Sequence, residues 1–158
     1  MGTQFFIETD HDAYEDDYFA QSAGGMAVLR TLLREFGMLT DAQEPHHPRF
    51  SEFGLTPDDF DGPMSDGKVK PEKAEAFAAG QQAARNRLEG YDPATTGIPY
   101  YKVAYNEGFL IAPAEIAAAL AAYNSRPAEQ RREAERSGSW AEWIAFLRQG
   151  ASAGIRVF

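Results

Sequence analysis

The chain has 158 residues, 44% of them hydrophobic, and a formal net charge of −9 at pH 7, so it is long enough to bury a core and matches one domain better than two. It has no cysteine, which excludes a disulfide framework, thiolate metal ligation and nucleophilic catalysis through sulfur. The opening MGTQFFIETD has neither the pattern of a secretory signal nor that of a myristoylation site, and no stretch reaches the length of a membrane span. A soluble cytoplasmic protein without membrane contact is expected.

The negative charge is concentrated at one end. Residues 1–67 carry fourteen acidic side chains against Arg30, Arg34 and Arg49, a balance of −11, while the remainder is slightly basic. Such a field repels phosphate backbones and attracts basic partners. Direct nucleic-acid binding is therefore not expected, and an acidic surface that only maintains solubility is the simplest alternative.

In chain order, TQFFIE at 3–8 predicts a strand with Phe5 and Ile7 on one face. The next segment places five carboxylates, Asp10, Asp12, Glu15, Asp16 and Asp17, among Tyr14, Tyr18 and Phe19. Ser22 is placed to cap a helix over 23–36, with Met26, Leu29, Leu33 and Phe36 at helical spacing and Gly37 as its stop. From Met38 to Lys70 the pattern breaks into prolines and glycines, which predicts a long ordered loop with one helical turn at Thr56 to Asp59, where Thr56 caps and Asp59 reaches back. A helix over 71–89 follows, with Ala74, Phe77, Ala78, Ala84 and Leu88 inward and Gly90 as its stop.

Residues 97–124 give the most consistent local signals. The runs Tyr100 to Tyr105 and Phe109 to Ala112 flank Asn106-Glu107-Gly108, which reads as a β-hairpin. Pro113 and Glu115 then suit the first turn of a helix over 113–124 that carries Ile116, Leu120 and Tyr123. The polar stretch 125–139 reads either as a solvated helix from Pro127 or as a linker. Ser139 with Glu142 has the form of a capping box. A helix over 140–149 follows with the stripe Trp140, Trp143, Ile144 and Leu147, and Ile155 to Phe158 closes the chain as a strand. The fold expected is one α+β domain over 1–158: a small mixed sheet covered by about four helices, with 1–67 acidic and loop-rich and 97–158 a hairpin-helix-helix-strand scaffold.

The chemistry is sparse. Asp10, Asp12 and Glu15 offer oxygen ligands to a hard cation, but the glycine and closing glutamate of a calcium loop are missing. His46 and His47 are adjacent and point to opposite faces of an extended segment, and His11 has no nucleophile to serve. Phosphate-binding glycine loops are absent. No catalytic residue, cofactor or metal site is assigned. The acidic, tyrosine-bearing segment Asp10, Asp12, Tyr14, Glu15, Asp16, Asp17 and Tyr18 is the candidate partner-binding site, because tyrosine is favoured at protein interfaces.

Over residues 97–158 the order Ile98-Pro99, Asn106-x-Gly108 with a following aromatic, Pro113-x-Glu115, a polar gap, Trp140-x-x-Trp143-x-x-Phe146-Leu147 and a glycine-led last strand resembles the C-terminal part of small uncharacterised actinobacterial and phage-associated proteins. That resemblance implies a shared folding unit and transfers no catalytic residue. The function expected is that of a small bacterial or phage protein that binds another macromolecule, a basic protein, through its acidic surface, as immunity proteins, antitoxins or host-defence antagonists do. A small-molecule or metal-dependent enzyme with a lid at 38–70, and an acidic mimic of nucleic acid, are the alternatives. Nothing in the sequence specifies an oligomeric state.

Overall fold

The first strand forms where alternation predicts it: β1 spans Thr3–Ile7 and buries Thr3, Phe5 and Ile7 while turning Gln4 and Phe6 to the other face. The structure, a computed structural model, describes residues 2–8 and 18–158. It is an α+β fold, as expected, and it divides into two compact units, residues 1–44 with 89–158 and residues 45–88.

In the first unit, β1 is joined by β2 (Tyr18–Gln21), β5 (Phe109–Ile111) and β6 (Ile155–Val157) in the order β2-β1-β6-β5, with every neighbour antiparallel. Two further strands, β3 (Leu39–Thr40) and β4 (Ile98–Pro99), form a separate parallel pair. The mixture of parallel and antiparallel pairing is thus divided between two sheets.

Helix α1 (Ala23–Glu35) begins where Ser22 Oγ accepts a hydrogen bond from the Gly25 N–H at 3.1 Å, and it ends before Gly37, whose φ of +68° is the left-handed conformation that favours glycine. Its buried residues Met26, Leu29 and Leu33 join the core formed with the inner sheet face. Helix α6 (Gly138–Gln149) supplies the largest side chains of that core. Trp143 packs edge-on against Phe5, with centroids 4.8 Å apart, and also lies against Phe19 and Phe146. One turn earlier, Trp140 stacks on Phe36 and meets Tyr123. The predicted stripe is therefore core, but the helix starts before Ser139, so Ser139 and Glu142 form no capping box; Ser139 Oγ instead accepts from the Gln21 amide.

The predicted hairpin is not formed. Tyr100–Ala104 is a short helix, α3, and β5 pairs with the distant β6, in the register Phe109↔Val157, rather than with the preceding run. The reason lies in Lys102, whose side chain is fully buried. Its ammonium donates to the carbonyls of Gly90 (2.8 Å) and Leu110 (2.7 Å) and to the Glu115 carboxylate (3.0 Å). Glu115 also accepts the Ala112 N–H at 2.8 Å, closing the first turn of α4 (Pro113–Asn124). Burial pushes the Lys102 ammonium down and the Glu115 carboxyl up, and each partner opposes the shift of the other. Helical backbone at 100–104 brings Lys102 to these partners, and that long-range satisfaction outweighs the strand preference of the apolar run.

The polar stretch after α4 is a helix, α5 (Ala128–Glu135). It docks through Tyr123, whose hydroxyl donates to Glu135 Oε1 at 2.5 Å. Burial first, and then the Glu135 carboxylate, push the Tyr123 hydroxyl up from 10.0 to about 12. Because the folded value is the higher one, this group's stabilisation is complete below the ordinary tyrosine value and is lost as pH rises through about 12. Alkaline titration followed by ultraviolet absorbance should reveal this late ionisation, and Tyr123→Phe should remove it; an unchanged titration curve in the variant would refute the assignment.

The second unit holds most of the expected ordered loop, which carries three helical turns rather than one. Short 3₁₀ turns at Phe50–Phe53, Pro57–Asp59 and Met64–Asp66 are joined by a bridge between Phe60 and Val69. The Thr56 to Asp59 capping box is present, with the Thr56 N–H donating to Asp59 Oδ2 at 2.8 Å. Phe50, Phe60 and Phe77 pack together with centroids 5.5 to 5.9 Å apart. Helix α2 (Ala74–Glu89), preceded by a 3₁₀ turn at Pro71–Lys73, turns Gly80 and Arg87 inward. A Cβ on Gly80 would come within 3.2 Å of the Phe50 ring, and Arg87 Nε donates to the Pro45 carbonyl at 3.3 Å. Of the predicted inward positions, Phe77, Ala84 and Leu88 are half-buried, whereas Ala74 and Ala78 are exposed.

Candidate interaction surface on the outer face of the sheet

Strand alternation that buries Phe5, Phe19 and Val157 turns their neighbours to the opposite face. Register puts Tyr18, Phe6, Arg156 and Leu110 in one cross-strand row, and Gln4 in the adjacent row with Ala20. Phe158 exchanges both backbone hydrogen bonds with Gln4, which extends that second row. The Phe6 ring lies 6.1 Å from Tyr18 and 6.0 Å from Phe158. Tyr18 is 54% and Phe158 48% exposed, so the two aromatic side chains on either side of Phe6 meet solvent.

The basic group of this face is neutralised within the protein. The Arg156 guanidinium makes a two-pronged contact with Glu8, at 2.7 and 3.1 Å, and donates to the Gly108 carbonyl at 3.1 Å. Glu89 lies 3.5 Å away. The hydrogen bonds to Glu8 are the main reason that the Arg156 guanidinium is held above its ordinary range. Arg156 thus locks the end of β1 to β6 and offers no unpaired cation to an anionic ligand.

Of the candidate residues named from sequence, Tyr18 is on β2, one of the two edge strands of the four-stranded sheet, with its ring in the aromatic row. Asp10, Asp12, Tyr14, Glu15, Asp16 and Asp17 lie outside the described residues, as does His11. In the chain they follow directly on β1 and precede β2, the two strands that carry Phe6 and Tyr18. Sequence reasoning missed Phe6, Arg156 and Phe158. The same alternation that assigned Phe5 and Ile7 to the core assigns Phe6 to the other face, and Ile155-Arg156-Val157-Phe158 repeats it.

The remaining candidates are dispersed. His46 and His47 are in the second unit, and His46 Nε2 is 2.8 Å from Glu52 Oε1. That contact, more than any other, holds the Glu52 carboxyl below its ordinary range. Among the described residues no three histidine or carboxylate side chains come together as a metal-ligand group, and no helix is long and apolar enough to cross a membrane.

The fold and this surface define an α+β protein with an antiparallel sheet whose inner face is packed and whose outer face displays aromatic groups. No protein-family model matches the chain, and no curated protein or solved structure matches it.

Proposed function

We propose that this protein works by binding another macromolecule, a basic protein, through the outer sheet face together with the acidic segment that links β1 to β2. The observation that carries this reading is the exposure of Tyr18 and Phe158 around Phe6, on strands joined by a segment with five carboxylates. Exposed aromatic side chains supply contact area at low entropic cost, and the surrounding negative field steers and selects a basic partner. Such a binder suits an immunity, antitoxin or host-defence-antagonist role in a bacterium or phage, in keeping with the resemblance of residues 97–158 to phage-associated proteins.

Capture of a basic host protein at low salt tests this. Tyr18→Ala with Phe158→Ala should weaken capture by about thirty-fold, the effect of losing an aromatic hot spot worth about 2 kcal/mol. Changing Asp10, Asp12, Asp16 and Asp17 together to Asn should slow association and flatten its salt dependence. Undiminished capture by both variants, with folding verified by circular dichroism, would sink the proposal.

A further inference from the structure

The helical layer of the first unit contains a second surface, independent of the aromatic sheet face. A groove of about 550 Å³ is lined by Leu32, Phe36, Pro127 and Ala134 with Glu35, Glu129 and Glu133. A smaller hollow of about 230 Å³, lined by Val28, Leu29, Ser137 and Trp140 among others, shares Leu32 with it. The two adjoin at Leu32 along one stripe of α1, since Gly25, Val28, Leu29, Leu32 and Glu35, with the C-cap residue Phe36, recur at three- and four-residue spacing. From Gly25 to Phe36 the stripe runs about 16 Å at 1.5 Å per residue, the length of about three helical turns.

We infer that this groove docks an amphipathic helix of a partner protein, with apolar side chains along one face and Lys or Arg at the end that meets Glu35, Glu129 and Glu133. The groove has the form used for helix recognition: an apolar floor, open to solvent, walled by α1 on one side and by α5 with the start of α6 on the other. Val28, 59% exposed, stands on its rim as an apolar group. Charge selects the occupant. Three glutamates and no basic residue line the larger hollow, while the smaller one is lined by no charged side chain. Glu133 has a surface partner in Arg136 at 2.8 Å, but both side chains are largely exposed, so that pair yields readily to a competing cation. A basic end seated among the glutamates fixes the direction in which the helix lies.

Panning a library of random helical peptides against the intact protein, followed by fluorescence anisotropy of the enriched sequences, tests this. The expected peptides carry apolar residues at i, i+3 or i+4, and i+7, with Lys or Arg clustered towards one end. Val28→Asp, and separately Glu35→Lys with Glu129→Lys and Glu133→Lys, should each weaken them at least tenfold. Tyr18→Ala with Phe158→Ala should leave their affinity unchanged, which separates this groove from the sheet face. Failure to enrich such peptides, or retained affinity in both groove variants, overturns the inference.

Discussion

Lys102→Met should destabilise the protein by about 3–5 kcal/mol, and Glu115→Gln by a similar amount, because each leaves one buried charge without its partner. Lys102 and Glu115 are both fully buried, and their contacts hold together α3, the start of α4, β5 and the chain at Gly90. The double variant Lys102→Met with Glu115→Gln should be much less damaged than the sum of the single changes. It removes both charges, and glutamine can still accept the Ala112 N–H. Urea unfolding of the four proteins gives the coupling energy, expected at about 1–3 kcal/mol; additive losses would rule out a cooperative pair. The pH dependence has a definite sign. Burial already raises the Glu115 carboxyl, and loss of Lys102 raises it further, so Lys102→Met should be most stable in acid and lose stability as pH rises through the elevated value.

Trp143→Ala should cost about 3–5 kcal/mol, the range for deleting a large aromatic side chain from a core. For a chain of this length that lowers Tm by about 6–20 °C. Trp143 is fully buried, and its ring contacts Phe5 on β1, Phe19 on β2 and Phe146 on its own helix. Its removal therefore empties the space between α6 and two strands at once. Trp143→Phe should cost much less than the lost volume suggests, because the indole N–H is buried and meets no acceptor among the described residues; phenylalanine removes that unsatisfied donor. Thermal unfolding by circular dichroism checks both values. A Trp143→Phe loss equal to that of Trp143→Ala would show that the indole is satisfied after all.

These two sites separate what the sequence by itself determined from what only the tertiary structure decided. Ser22 and Gly37 bounded α1, Thr56 and Asp59 closed their turn, Pro113 opened α4, and the Trp140 to Leu147 stripe identified the core face of α6, because each signal acts within one or two helical turns. Strands β1 and β6 were likewise legible from alternation. Their pairing was not: Phe5 meets Val157 from the other end of the chain, and no local pattern encodes that partner. The aromatic row of Phe6, Tyr18 and Phe158 exists only once that register is set, so a single tyrosine of the surface could be named beforehand. Strand β2, the aromatic cluster of the second unit and the docking of α5 through Tyr123 and Glu135 were decided in the same way. Lys102 is the clearest case. Its neighbours favour a strand, but a buried ammonium must satisfy its charge and its donors, and the groups that do so become neighbours only in the folded chain.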